Sequence, residues 1–210
     1  MVKVTWLGHA CFLISNKDKV VTDPYEARCF PGFYLDLDEF KDLLEGVNVV
    51  LISHEHADHN YADPFKGARV VRGVEVIGRK LKVDGVEVEV FEVDHGPGRG
   101  RCAGFLFKVD DVKFYHFGDT YRYDKEQMEK LKQVGVDVAL VPVGGLYTLG
   151  PEEAVEALSI MEPKIAIPMH YRIPGKMEIV PHTVNDFLEK AKEKLKCEVR
   201  VLGLGGSTEV

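Results

Sequence analysis

The chain has 210 residues, 45% of them apolar and 29% charged, which excludes an intrinsically disordered protein. No uninterrupted apolar run approaches the ~20 residues needed to cross a bilayer, so no membrane association is expected. A formal net charge of -7 disfavours non-specific nucleic-acid binding and leaves room only for a local basic groove.

Met1 to Ser15 lacks the order of a signal peptide. Cys11, Cys29, Cys102 and Cys197 form no CxxC pair and read as reduced thiols of a cytoplasmic protein, with Cys11 and Cys102 in the core. Only four Asn and two Gln stand against abundant Lys and Glu, the bias of a thermophile protein. No linker, low-complexity tract or short repeat breaks the chain, so residues 1–210 read as a single domain. The oligomeric state is left open.

In chain order, Val2–Trp6, Cys11–Ser15 and Val20–Thr22 are short β-branched or apolar runs between turn residues and predict strands. Leu37–Glu45 predicts a helix, with Leu37, Phe40, Leu43 and Leu44 on one face. Val47–Ile52 is a continuous apolar run, as in a strand buried on both faces. Strands follow at Val70–Val71, Glu75–Ile77, Lys80–Val83 and Val86–Val93, then a hairpin of Phe105–Val109 and Lys113–Phe117 turning at Asp110-Asp111. Helix and strand then alternate. Helices are predicted at Lys125–Gln133, Pro151–Met161 and Val184–Leu195, and strands at Val138–Val141, Lys164–Ile167 and Glu198–Leu202. Pro151 opens its helix after Gly150, with Glu152 and Glu153 facing the positive helix end. Strand-rich segments followed by helix–strand units predict an α/β fold, two sheets packed together with helices outside, a four-layer αββα sandwich.

The chemistry concentrates in Ser53-His54-Glu55-His56-Ala57-Asp58-His59, an HxHxDH pattern holding three of the eight histidines. Imidazole and carboxylate are the preferred ligands of zinc and similar divalent ions. The cluster follows a buried strand, so it lies on a loop at that strand's C-terminal end. His54 and His56, two apart, suit one ion, whereas Asp58 and His59 point elsewhere and suggest a second. Further candidates recur directly after apolar strands: His95 before Gly96-Pro97-Gly98, Asp119 in Phe117-Gly118-Asp119-Thr120, and His170 in Pro168-Met169-His170-Tyr171.

This set resembles the metallo-β-lactamase fold superfamily, in which HxHxDH is followed by a third His, a metal-bridging Asp and a last His. The resemblance implies that His54, His56 and His95 bind one metal, that Asp58, His59 and His170 bind a second, and that Asp119 bridges them. Thr5-Trp6-Leu7-Gly8-His9-Ala10, Thr22-Asp23-Pro24 and the run from Val143-Gly144-Gly145 to Ala154 resemble one branch. That branch comprises bacterial and archaeal metal-dependent hydrolases similar to L-ascorbate-6-phosphate lactonases.

The implied function is that of a dinuclear metal-dependent hydrolase. A metal-bound hydroxide would cleave an ester, lactone or phosphodiester of a small molecule, with Asp58 handling the proton. Zinc is the first choice of metal, and manganese, iron or nickel also suit His and carboxylate ligands. A diiron-type redox protein and a non-catalytic metal-binding protein are the alternatives on the same fold.

Other residues carry two readings. His9 is either a hydrogen-bonded turn histidine or a residue of the site rim touching substrate or orienting a ligand. Asp23 is either an Asx-turn residue or, by the resemblance, a carboxylate holding a metal-binding His. Gly144 and Gly145 form a plain turn or let the backbone approach the metal centre. His116 reads as packed and His182 as surface. Arg99, Arg101, Arg122 and Arg172 would hold an anion if they converged. The loop Tyr25–Tyr34 either covers the site or packs on the sheet.

Overall fold

A computed structural model describes residues 1–210. The strands are β1 (Lys3–Gly8), β2 (Cys11–Ser15), β3 (Lys19–Thr22), β4 (Val49–Ile52), β5 (Arg69–Arg72), β6 (Lys80–Val83), β7 (Val86–Val93), β8 (Cys102–Val109), β9 (Val112–His116), β10 (Val138–Pro142), β11 (Ile165–Met169), β12 (Glu198–Val199) and β13 (Ser207–Glu209). The α-helices are α1 (Lys125–Val134), α2 (Pro151–Met161) and α3 (Val184–Lys194). None is long and apolar enough to cross a membrane.

Two mixed sheets result. One has six strands in the order β13-β1-β2-β3-β4-β5, the other seven in the order β12-β11-β10-β9-β8-β7-β6. In the first, β3, β4 and β5 run parallel and the rest antiparallel. In the second, β9 to β12 run parallel and β6 to β9 antiparallel.

Alternation along the strands sorts side chains between two apolar layers. Val4, Trp6, Phe12, Ile14, Val20, Val49 and Leu51 face the second sheet in the main core. Leu7, Cys11, Leu13, Val21, Val50 and Ile52 face outward into a second cluster with Tyr25, Phe33, Leu35 and Met177. Burial on both faces explains the unbroken apolar run of β4.

The parallel half of the second sheet is wound through α1, α2 and α3, which bury Met128 and Leu131, Val155 and Leu158, and Phe187 and Ala191. Asp124 caps α1 by accepting from the Gln127 N–H, and Thr183 and Asp186 form a capping box on α3. The fold is the predicted α/β sandwich of two packed sheets, with α1, α2 and α3 outside the second and the 3-10 helix Leu37–Leu43 outside the first.

Three local expectations are corrected. Leu37–Glu45 is a 3-10 helix over Leu37–Leu43, so the first sheet's outer layer is mostly loop. Leu37 and Phe40, three apart, fall on one face of a three-residue turn, and Leu43 is exposed. Glu75–Ile77 is no strand: Gly73–Glu75 forms a 3-10 turn where the chain crosses between sheets. A Cβ on Gly73 would lie 2.5 Å from the Ala103 side chain, so the crossing presses against β8. The last predicted strand shortens to Glu198–Val199, and β13 pairs with β1.

Candidate metal centre

The strand ends carry the chemistry. After Ile52 the chain turns at Ser53, whose N–H donates to Asp23 Oδ1 at 2.7 Å and whose hydroxyl donates to Asp23 Oδ2 at 2.6 Å. The same Oδ2 accepts from His59 Nδ1 at 2.9 Å. Asp23 thus ties both ends of the HxHxDH loop and turns His59 Nε2 inward. Glu55 points away and pairs with Arg72 at 2.6 Å.

Ligand atoms gather in three overlapping groups: His54, His56 and His95; His9, Asp58, His59 and His170; and Asp23, His54 and His59, of which the last is already tied up by the Asp23–His59 hydrogen bond. Asp119 lies between the first two. Its Oδ2 is 3.8 Å from His54 Nε2 and 4.0 Å from His95 Nε2. Its Oδ1 is 3.4 Å from His59 Nε2 and 3.3 Å from His170 Nε2. All of these residues are buried except His56, which is half-buried.

The donor set fits divalent cations. Both ring nitrogens of His95, Nδ1 of His170 and Oδ1 of Asp119 are buried without a hydrogen-bond partner. An orphaned buried polar atom costs about 1–3 kcal/mol, and a cation at the cluster would satisfy His95 Nε2 and Asp119 Oδ1 among these. Burial pushes the imidazoles of His9 and His95 down to about 4 and that of His54 well below its ordinary value. They are therefore held neutral, the form that binds metal. Burial works against charge on Asp58 and Asp119, but His59 beside the first, and His170 and His59 beside the second, outweigh it. Both carboxyls stay well below their ordinary range. Burial likewise opposes charge on His59, yet Asp119 and Asp58 raise it, so without a cation the carboxylates keep a proton on this ring.

Three residues here, His9 (φ 52), Asp23 (φ 37) and His170 (φ 53), adopt the left-handed conformation. Non-glycine residues there store of order 1–2 kcal/mol each, which the surrounding packing must hold.

A cavity of about 440 Å³ opens onto the cluster, lined by Phe30, Pro31, His56, Asp58, Arg99, Asp119, Tyr147, His170 and Ile179. The Tyr25–Tyr34 loop serves both expected roles. Phe33 is buried edge-on to the His9 ring at 5.2 Å, and Phe30 borders the cavity. Tyr147, within the Val143–Ala154 run, also borders it, as does Ile179, which nothing in the sequence marks.

The other predicted residues divide. His9 is not at the rim: it is fully buried beneath the cluster, because the tight turn between β1 and β2 folds it inward. Gly144 comes so close to His170 that a Cβ would lie 2.0 Å from the His170 carbonyl oxygen. Gly145 (φ +72) lies under the ring of His182, whose side chain is 44% exposed, a surface residue as expected. His116 is packed, with Nε2 2.9 Å from the Ala10 carbonyl. Cys102 is more than a core thiol: its sulfur accepts the Asp119 N–H at 3.4 Å and lies 3.6 Å from His54 Nδ1.

The four arginines do not converge. Arg99 alone reaches the cluster, 3.5 Å from Asp119 Oδ2, with its Nη1 donating to the carbonyls of His95 and Tyr147. Arg101 is held by Glu92 at 3.0 Å, and Arg122 lies over the Tyr121 ring. Arg172 donates its backbone N–H to the His182 carbonyl at 2.7 Å, and its side-chain Nε is buried without a partner. Met177, whose sulfur meets His9, carries no signal in the sequence.

Residues 3–170 match the model of the beta-lactamase superfamily domain. A UPF0173 metal-dependent hydrolase of Pyrococcus furiosus is 33% identical, with 100% of each chain covered. One of Methanocaldococcus jannaschii is 32% identical over 99% of this chain and 100% of its own. Among solved structures, the metallo hydrolase Igni18 of Ignicoccus hospitalis superposes with a TM-score of 0.78 at 24% identity, covering 100% of this chain and 99% of its own. A Thermotoga maritima protein assigned as a Zn-dependent hydrolase of the metallo-beta-lactamase superfamily gives 0.67 at 29% identity, covering 96% and 98%.

Proposed function

The chain belongs to the metallo-β-lactamase superfamily and, within it, to the UPF0173 metal-dependent hydrolases, and we propose that it is a dinuclear enzyme cleaving an ester, lactone or phosphodiester of a small molecule. The observation that carries this is Asp119, whose two oxygens face two separate histidine clusters. His54, His56 and His95 would hold one ion, Asp58, His59 and His170 the other, and Asp119 both. Zinc is the first choice, and manganese, iron or nickel also suit this nitrogen and oxygen set. Bound there, two divalent ions would supply activation of water at neutral pH and polarisation of the carbonyl or phosphoryl oxygen under attack.

The chain's own residues do the rest. Asp58 lines the cavity and is held ionised, so it can accept a proton there. Asp119 would offset the repulsion between two dications held at these clusters. Phe30, Tyr147 and Ile179 border the cavity and offer apolar contact to a substrate. Arg99 presents the cavity's guanidinium.

The test compares Asp58→Asn with Asp119→Ala by elemental analysis and by turnover on lactones and bis-p-nitrophenyl phosphate. Wild type reloaded after chelation should approach two ions per chain. Asp58→Asn should keep much of its metal and lose about 10²–10⁴-fold in rate, the usual worth of proton handling. Asp119→Ala should lose metal as well. A wild type that binds no metal sinks the proposal.

A further inference from the structure

His9 sits deeper than any role in contacting substrate requires. It occupies the turn between β1 and β2, and its carbonyl accepts from the Trp6 indole at 3.0 Å and from the His170 N–H at 3.1 Å. These bonds hold the ring 4.1 Å from that of His170 and 4.7 Å from that of His59, centroid to centroid. Its Nε2 is 3.0 Å from Asp58 Oδ2 and 3.1 Å from His59 Nε2. Its Nδ1 is 2.9 Å from Met177 Sδ.

Resting on the two-ion reading above, we propose that His9 Nε2 is itself a ligand of the ion held by Asp58, His59 and His170. Two ligand atoms bound at ~2.1 Å to one ion lie about 3.0 Å apart at a right angle and about 3.4 Å apart at the tetrahedral angle. The spacings here are those edges: 3.0 Å from His9 to Asp58, 3.1 Å from His9 to His59, 3.5 Å from Asp58 to His59, 3.4 Å from His59 to Asp119 and 3.3 Å from Asp119 to His170.

Proton bookkeeping points the same way. A thioether sulfur has no proton to give, so the short contact with Met177 places the proton of a neutral His9 ring on Nδ1. Nε2 then carries a lone pair and faces the Asp58 carboxylate, itself an acceptor. His59 Nδ1 donates to Asp23, which leaves a lone pair on His59 Nε2 when an ion is bound. With an ion in place, His9 Nε2, His59 Nε2 and Asp58 Oδ2 would all turn lone pairs to the same point. The opposite tautomer, with His9 Nε2–H donating to Asp58, turns the Nδ1 lone pair onto the sulfur.

The two sites then differ. His54, His56, His95 and Asp119 supply four ligands to one ion, as tetrahedral zinc prefers. His9, His59, His170, Asp58 and Asp119 supply five to the other, which suits an ion of higher coordination number such as manganese, iron or nickel.

The test loads the protein with Co(II), titrates both sites, and counts hyperfine-shifted ring N–H signals by NMR. His9→Gln keeps an amide able to donate to Asp58, so a purely hydrogen-bonding role survives the change. The expected result is two ions in wild type, one fewer shifted ring N–H in His9→Gln, and a second-ion affinity weakened beyond the 10–100-fold typical of losing a residue that only supports a ligand. The first ion's affinity should not move. Two ions at wild-type affinity in His9→Gln overturn this proposal alone, whereas fewer than two in wild type overturn the two-ion reading together with it. Should His9→Gln not fold, Met177→Leu frees Nδ1 of its acceptor and should weaken the second ion by about 10–100-fold; an unchanged affinity there overturns the proposal equally.

Discussion

Asp23 touches neither cluster's open side, yet it accepts from the Ser53 N–H, the Ser53 hydroxyl and His59 Nδ1 at once. Replacing one carboxylate oxygen with an amide NH₂ sets donor against donor. Asp23→Asn is therefore expected to weaken the second ion by about 10–100-fold while the chain still folds, measured by metal titration beside circular dichroism. Arg99 is fixed differently, by two backbone carbonyls and by the Tyr147 ring 5.0 Å beneath it. Arg99→Met should reduce kcat/KM for anionic substrates by about 10–100-fold, the worth of a charged hydrogen bond of about 1.5–3 kcal/mol, and leave neutral substrates nearly unchanged. Equal losses for both would mean that Arg99 supports Asp119 rather than substrate. The candidate ligands were legible because metal chemistry restricts residue type and position: few reasons other than metal binding put His54, His56, Asp58 and His59 in one loop after a buried strand. Met177 and Cys102 were not legible, because their contacts with His9 and with His54 and Asp119 come from distant loops and follow no spacing.

The elements were legible to the extent that burial writes a pattern into them. β4 and β10, buried on both faces, are unbroken apolar runs, and α2 runs over the predicted Pro151–Met161. β13 is Ser-Thr-Glu on a sheet edge with no buried side chain, so its pairing with β1 leaves no apolar trace. The helix expected at Leu37–Glu45 is a 3-10 helix over Leu37–Leu43, whose type the pattern could not give because the α and 3-10 periods both place Leu37 and Phe40 on one side. The turn after β10 tests how elements position the site. Gly144 lets this turn pass within contact of the His170 backbone, and an added Cβ would also meet Val180 at 2.9 Å. The colliding atom is a backbone oxygen beside a ligand, so relief requires moving that ligand. Gly144→Ala is expected to cost about 1–3 kcal/mol of stability, the usual cost of overpacking, and to lower metal content. Thermal melts of chelated and loaded protein check the two effects separately; a variant with wild-type melting and full metal would show that the turn has slack.

At the scale of the molecule, the candidate ligands come from both sheets. His9 and the HxHxDH loop extend from the first, and His95, Asp119 and His170 follow β7, β9 and β11 of the second. Bound ions would join the two sheets at one end of the sandwich, so metal should contribute to folding stability as any ligand specific to the native state does. At free metal 100-fold above its dissociation constant, each site adds about 2.7 kcal/mol. For a chain of this size that is about 5–10 °C in Tm per ion. The pH dependence has a definite sign. His9 and His95 titrate near 4 in the fold against 6.5 in the unfolded chain, and His54, His56 and His116 shift the same way. Between these values the unfolded chain binds more protons, so stability is lost as pH falls from 6.5 toward 4. His59, raised in the fold, contributes oppositely and is outnumbered. Protons also compete with metal for the same nitrogens. Chelation at pH 8 should therefore lower Tm by about 5–10 °C per ion removed. At pH 5 the stripped protein should melt lower still, and the gap between loaded and stripped forms should narrow. Calorimetry of both forms at both pH values measures it. A stripped protein, verified free of metal, that melts with the loaded one at pH 8 would mean that the sheets hold the ligand cluster together without an ion.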